Sequence, residues 1–259
     1  MELFGSAPRP LVTVVGTWEP FLPVHERLAA RLRRRADEAD MSASVVVLDP
    51  PPKQTLEGPA SWPAFYGRRE RVRRLAETGL DAVIAVSLDE EDLKGRAADL
   101  FEVLGDELEL GEFWLKNGQT LGRGEGGSPL AIGVYLKAKG IGFRPLAPNP
   151  EAHDTSIEAR ERLKEGAVAA AAELVGRPPA RRRPEDGTVS VGWPEGRYLA
   201  RPGRNGNGTA PGAEEAVEVV VRSTGSDVNL AEWPDTDAEV LSFVRGPGDE
   251  PSPPGVDAG

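Results

Sequence analysis

A buried strand, a glycine turn and a helix follow one another near the start of this chain, and this succession constrains the fold most. The apolar run Leu11–Val15 has the length of a strand that is buried on both faces. Gly16 follows the run, and Pro23 suits the first position of the helix that comes next. We therefore predict the opening of a β-α-β unit, in which free N–H groups of the helix N-terminus can bind an anion. His25 lies in the first turn of this helix and is expected beside that anion.

Short apolar runs and helical patterns keep alternating up to about residue 176. Among other elements, they predict a helix at about Gly67–Glu77 whose five arginines point mostly outward, and a strand at Ala82–Val86. They also predict a helix that begins at Asp154 or Thr155 and runs to about Val175. The alternation predicts an α/β fold with a parallel sheet covered by helices on both faces. Ligands of such sheets bind at the carboxyl ends of the strands. Four polar or glycine-containing turns are therefore expected along one edge, at Gly16, Asp49, Asn117 and Thr155.

Changes in composition along the chain predict five regions. The glycine- and proline-rich segment after residue 176 separates the strand–helix alternation from a later series of short β segments. The later series predicts a small antiparallel sheet, and the last residues have the Pro, Gly and acidic content of disordered chains. The regions are a flexible leader (1–10), an α/β domain (11–176), a linker (177–186), a small β domain (187–245) and a disordered tail (246–259).

Charge and composition exclude several classes of function. The chain contains no cysteine and only two histidines, which excludes disulfides, thiolate catalysis and histidine-rich metal sites. The net charge is −11, and residues 185–259 hold 14 acidic and five basic residues, which argues against binding to nucleic acid. No apolar run long enough for a membrane span and no signal peptide is evident, so we expect a cytoplasmic protein without a membrane partner.

The first turn resembles the signature Gly-Thr-Phe-Asp-Pro/Gly-x-His-x-Gly-His of the nucleotidylyltransferase superfamily. Leu22 replaces the first histidine of that signature, and Val24 replaces its inner glycine. The residues that match, or stand at equivalent positions, are Gly16, Thr17, Trp18, Glu19, Pro20 and His25.

Within this superfamily, residues 11–178 are most similar to the bacterial bifunctional riboflavin kinase/FAD synthetase family. Four further segments occur in the order of that family. They are Val45–Pro52, Tyr66–Val86, Leu121–Gly127 with its Leu-Gly-Arg sequence, and Thr155–Pro178. The departures include Pro51 at a histidine position and Ile157 at a threonine position.

The resemblance implies a Rossmann-like parallel sheet of the HxGH type followed by a small antiparallel β domain. It also implies transfer of AMP from ATP to FMN, which gives FAD and pyrophosphate. His25 and Arg160 would be catalytic residues, and the Trp18 ring either packs internally or flanks the adenine. The implied nucleotide-binding residues are Gly16, Thr17, Trp18, Asn117, Gly122, Arg123, Thr155 and Ser156.

The expected ligands are ATP, FMN or FAD, and Mg²⁺ carried on the phosphates, since no residue set is predicted to hold a metal by itself. The segment Trp193–Tyr198 resembles a strand of the riboflavin kinase barrel of the family. The nucleotide-binding Pro-Thr-x-Asn signature of that kinase is absent from the sequence, so we expect no riboflavin kinase activity.

Three hypotheses remain open at this point. The chain is either an active adenylyltransferase or a catalytically lapsed paralogue that binds flavin or adenine nucleotide as a sensor or assembly partner. A third reading is an adenylyltransferase with a different phosphate substrate. The small β domain and the acidic tail are the candidate surfaces for a protein partner.

Overall fold

The computed structural model describes residues 1–95, 97–122, 125–183, 191–203, 216–224, 227–230 and 240–249. Two compact units make up the chain. The first unit contains Met1–Leu56 and Arg71–Ala152, and the second contains Glu57–Glu70 and the described residues from His153 onward. In the described part of the chain, no helix combines the length and the apolar character that a membrane span requires.

The first unit is built on a six-stranded, mostly parallel sheet. The strands are β1 (Glu2–Gly5), β2 (Leu11–Gly16), β3 (Ser42–Leu48), β4 (Ala82–Val86), β5 (Leu110–Lys116) and β6 (Gly142–Leu146). Their order in the sheet is β1-β4-β3-β2-β5-β6. β1 is antiparallel to β4, and every other neighbouring pair is parallel.

Helices cover both faces of this sheet, because the strand side chains alternate between two apolar surfaces. On one face, Phe113 packs in a core with Phe101 and Ile132 from two of the helices. On the other face, the guanidinium of Arg31 lies 5.7 Å from the ring centre of Trp114. The helices that begin in this unit are α1 (Pro23–Ala39), α2 (Pro52–Glu57), α4 (Glu90–Lys94), α5 (Ala97–Glu107), α6 (Pro129–Ala138) and α7 (Pro150–Lys164).

The second unit contains a five-stranded antiparallel sheet. The strands are β7 (Ala180–Arg182), β8 (Gly196–Gly203), β9 (Val217–Thr224), β10 (Asp227–Leu230) and β11 (Val240–Arg245). Their order in the sheet is β10-β9-β8-β11-β7. An aromatic core supports the sheet, and in this core the rings of Trp193 and Phe243 meet edge to face at 4.7 Å. Helix α3 (Arg68–Ala76) begins in this unit, and α8 (Val168–Val175) packs on β11.

Two segments that were predicted to be irregular form strands. The predicted leader contains β1, which pairs with β4 along its whole length and covers that edge of the sheet. The predicted linker contains β7, which pairs with β11. Both predictions are wrong for the same reason, because the pairing partners lie about 60 or more residues away and leave no local pattern.

The boundary between the units also differs from the prediction. Residues 57–70 and 153–176 were assigned to the α/β domain, but they belong to the unit that contains the antiparallel sheet. The predicted helix ending at Val175 is divided at Gly166, whose φ of +75° is accessible to glycine. Of the predicted tail, Pro247–Asp249 forms a short 3₁₀ helix, and residues 250–259 lie outside the described part.

Candidate functional site

The carboxyl edge of the parallel sheet contains a cavity in the first unit. The strand order reverses at β2, with β3 and β4 on one side and β5 and β6 on the other, which is where ligands of open α/β sheets bind. The cavity has a volume of about 660 Å³. Its walls follow four strands, and they include Gly16, Thr17, Leu48, Pro52, Val86, Ser87, Leu88, Gln119, Thr120, Leu121 and Gly122.

The cavity wall combines apolar and acidic residues. Leu48, Val86 and Leu121 are among the apolar ones. Three carboxylates, two on α4 and one on α5, also line the cavity, and no lysine or arginine occurs among the lining residues that the structure describes. Carboxylates without a nearby cation repel a bare polyphosphate, and a divalent cation bound to the polyphosphate would reduce this repulsion. The three acidic residues are Glu91, Asp92 and Asp99.

The turn after β2 is held rigidly on the neighbouring strand. Trp18 adopts a left-handed backbone with φ of +56°, and its Nε1–H donates to the carbonyl of Val46 at 3.0 Å. Only 4% of Trp18 is exposed. The ring thus packs inside the unit, as one of its two predicted roles requires, while Gly16 and Thr17 face the cavity.

His25 occupies the N3 position of α1, as the sequence predicts. The N-cap residue Leu22 has no polar side chain. The Nδ1 atom of His25 accepts a hydrogen bond from the backbone N–H of Leu22 at 3.0 Å. In the neutral ring the proton is then on Nε2. The rings of Trp18 and Phe21 lie 5.4 and 5.7 Å from the imidazole centre and fix its orientation. His25 is half-buried and is not one of the residues that line the cavity.

The loop after β5 contributes only part of the set predicted there. Gly122 lines the cavity with a φ of +67°, which favours glycine. Asn117 is exposed, and its backbone N–H donates to the carbonyl of Leu146 at 2.8 Å. Arg123 lies outside the described residues.

Thr155, Ser156 and Arg160 belong to the second unit, on α7. The prediction that the helix begins at Asp154 or Thr155 is wrong, because Asn149 caps it by accepting from the N–H of Ala152 at 3.0 Å. The sequence contains this signal, since Asn149 precedes a proline that suits the first helical position.

The guanidinium of Arg160 is enclosed within that unit. It lies 4.2 Å from the ring centre of Trp62 and donates to the carbonyl of Ser156 at 3.1 Å and to its hydroxyl. Arg160 is 2% exposed. Its role toward a phosphate therefore stays a prediction.

Sequence reasoning missed Arg71, which is a buried charged group at the carboxyl edge. The five arginines of α3 were expected to point mostly outward, yet Arg71 is 2% exposed and Arg74 is 5% exposed. Burial lowers the pKa of Arg71, and the carboxylate of Glu19 partly offsets this effect. The signal for its burial is its position one helical turn before the buried Leu75.

Comparisons with known proteins establish the fold alone. No family model matches this chain, and no curated protein matches it either. A solved structure described as a macrolide-efflux protein from Streptococcus pneumoniae is similar, with a TM-score of 0.63. The alignment covers 97% of this chain and 90% of that protein, at 15% sequence identity.

Proposed function

We propose that this protein is an FAD-synthetase-like adenylyltransferase, which transfers AMP from ATP to FMN and releases pyrophosphate. The observation that carries the proposal is the cavity at the carboxyl edge, since Gly16, Thr17 and Gly122 all line it. These residues come from two separate segments that resemble the family. The doubly wound strand order supports a Rossmann-like identity for the sheet.

In the proposed reaction, a phosphate oxygen of FMN attacks the α-phosphorus of ATP, and the bond from that phosphorus to the oxygen bridging the α- and β-phosphates breaks. The protein mainly positions the two phosphates and neutralises their charge. The Nε2–H of His25 would donate to the α-phosphate from the N-terminal turn of α1. Neutralisation of the β- and γ-phosphates by Arg160 and Arg123 is what the resemblance to the family implies.

Mg²⁺ would be carried on the phosphates, because the described residues contain no group of three or more His, Asp or Glu side chains that could hold a metal. Carboxylate oxygens are ligands that this ion prefers, and Glu91 and Asp99 line the wall. When bound, the ion would reduce the negative charge of the polyphosphate.

A second candidate is a lapsed paralogue that binds flavin or adenine nucleotide without turnover. The position of His25 outside the cavity lining favours it, together with Leu22 at the position of the first motif histidine. Loss of one phosphate donor typically costs about 10²–10³ in rate. Such a protein would keep the apolar residues of the cavity wall. A protein partner would distinguish its ligand-bound form from its ligand-free form.

The deciding experiment incubates the pure full chain with Mg-ATP and FMN and measures FAD by chromatography and pyrophosphate by a coupled assay. We expect FAD from the wild type and a rate lower by about 10²–10³ for His25→Ala, because the α-phosphate loses a donor. His153→Ala is the matched control, since His153 is the other histidine and is exposed on α7.

FAD formation that is absent from the wild type, or equal in wild type and His25→Ala, would contradict the enzyme proposal. Calorimetric titrations with ATP, FMN and FAD then test the second candidate, which requires at least one binding event. Pyrophosphate release with another acceptor, but not with FMN, would indicate a different phosphate substrate. Riboflavin and ATP are tested in parallel, and we expect no FMN from them.

A further inference from the structure

Arg71 joins the ends of two adjacent strands at the cavity. Its Nη1 donates to the carbonyl of Thr17 at 3.0 Å and to the carbonyl of Leu48 at 3.3 Å. Thr17 follows β2, Leu48 ends β3, and both residues line the cavity. One side-chain nitrogen therefore connects two separate parts of the cavity wall.

Two carboxylates extend this connection into the turns themselves. The Nε of Arg71 lies 3.8 Å from Oε2 of Glu19, and its Nη2 forms an ion pair with Asp49. Glu19 comes two residues after Thr17, and Asp49 directly follows Leu48. Each turn is thus held at a carbonyl and at a carboxylate.

The guanidinium suits this arrangement better than an ammonium group. It has three nitrogens in a rigid plane: here Nη1 donates to two carbonyls, Nη2 pairs with the carboxylate of Asp49, and Nε faces the carboxylate of Glu19 at ion-pair distance. A lysine has one charged nitrogen at the end of a flexible chain, so it cannot reach the same acceptors together. Replacing Arg71 by lysine keeps the charge and removes the fixed geometry.

We propose that Arg71 is a positioning residue of this site, which fixes the turns after β2 and β3 so that the cavity presents Gly16 and Thr17 to the ligand in one arrangement. The inference rests on the proposed function for its catalytic consequence. Arg71 acts through the backbone of Thr17 and Leu48 and through two carboxylates, and its own burial keeps it away from the ligand. A displacement of about 1 Å in the groups that position a substrate can lower the rate by about 100-fold.

The test compares the full-length wild type with Arg71→Lys and with the matched control Arg73→Lys. Arg73 lies on the same helix, and it pairs with Glu77 one turn later. Hydrogen exchange measured by mass spectrometry follows the amides of residues 15–18 and 47–49, one of which, Asp49, donates to the carbonyl of Val86 at 3.0 Å. Turnover of Mg-ATP and FMN is measured on the same samples.

In Arg71→Lys we expect hydrogen exchange about tenfold faster in these two segments. The exchange rate of β5 should stay unchanged, because only the two turns lose their contacts with the guanidinium. We also expect kcat to fall by about 100-fold while KM for FMN changes little. Arg73→Lys should resemble the wild type in both measurements. Arg71→Met, which leaves Glu19 and Asp49 without this cation, should loosen the same segments more strongly if it folds.

Unchanged exchange in Arg71→Lys, or exchange that rises equally throughout the sheet, would overturn the positioning role. So would a local rise in exchange with unchanged kcat. If the wild type forms no FAD, the adenylyl-transfer proposal fails, and the exchange comparison still decides whether Arg71 fixes the two turns.

Discussion

Glu112 is a carboxylate inside the parallel sheet, where β5 lies between β2 and β6. Its Oε2 accepts from Nε and Nη2 of Arg35 at 2.9 and 2.7 Å, and its Oε1 accepts from Nε1 of Trp114 at 2.6 Å. Arg144 adds a second cation, with its Nε 3.3 Å from Oε1. This cluster joins α1 to β5 and β6.

We predict that Glu112→Gln destabilises the protein by about 1.5–3 kcal/mol at pH 7, because the variant loses hydrogen bonds to a charged group. Urea unfolding measures the change. Glu109→Gln is the control, since Glu109 is exposed and lies just before β5. Equal stability of the two variants would contradict the role assigned to Glu112.

The same carboxylate makes stability depend on pH. Burial alone would raise the pKa of Glu112, but the hydrogen bonds from Arg35 and Trp114 and the nearby arginine charges outweigh burial and lower it below its ordinary value near 4.5. The contribution is therefore present above about pH 4.5 and is lost as the pH falls through the lower value of the folded state. We expect the gap in the free energy of unfolding between wild type and Glu112→Gln to narrow as the pH falls below about 4.5. A gap that is constant with pH would contradict this assignment.

At the scale of single elements, α8 has its N-cap supplied by a distant residue. The local N-cap residue, Ala167, has no side chain that can accept a hydrogen bond. The carboxylate of Asp249 accepts instead from the N–H groups of Ala169, at 3.1 and 2.9 Å, and of Ala170, at 3.3 Å. The same carboxylate accepts from Gly246 at 2.8 Å and closes the final 3₁₀ turn.

We predict that Asp249→Ala destabilises the second unit by about 1 kcal/mol, within a range of about 0.5–2, because two helix N–H groups lose their acceptor. Asp249→Asn should retain part of this contribution, since asparagine also caps helices. Thermal unfolding measures both. Asp154→Ala is the control, because the Asp154 side chain is 79% exposed on α7. Equal Tm values for Asp249→Ala and Asp154→Ala would contradict the cap.

The elements with strong local signals were predictable from the sequence. The strand Ala82–Val86 and the start of α1 at Pro23 are confirmed as predicted. The pattern of apolar residues, together with a nearby glycine, proline or polar residue, marks where such elements begin and end. β1 and β7 were not predictable, since pairing with β4 and β11 stabilises them rather than local preference.

At the scale of the whole molecule, the second unit includes a segment from early in the chain. The backbone N–H of Ala180 and the guanidinium of Arg181 donate to the carbonyl of Phe65 at 2.9 and 2.8 Å. The indole N–H of Trp193 donates to the carbonyl of Ala64 at 3.1 Å. Phe65 is fully buried. Residues 57–66 therefore depend on chain that comes more than 100 residues later.

We predict that a fragment ending at residue 176 leaves residues 57–70 open to proteolysis, because it lacks β7 and Trp193. Limited digestion of the fragment and the full chain, with cleavage sites assigned by mass spectrometry, measures the difference. Cleavage in residues 117–120, an exposed turn of the first unit, serves as the internal control. Equal protection of residues 57–70 in both would contradict the assignment of this segment.

Local patterns were enough to predict the fold class, the order of most strands and helices, and the placement of the Gly16 turn and the Asn117 loop at the carboxyl edge of a parallel sheet. The α/β class and the later antiparallel sheet are confirmed, whereas adenylyl transfer to FMN stays a prediction. These features depend on local periodicity and turn residues, which a sequence displays directly.

Three features depend on how the elements pack: the burial of Arg71, the cap from Asp249 and the inclusion of residues 57–70 in the second unit. They have the same cause. A buried polar group must find hydrogen-bond partners, and here most of these partners lie 20 to more than 100 residues away along the chain. Local patterns indicate which segments fold into strands and helices, but the partners of buried charges are set by the way those elements pack.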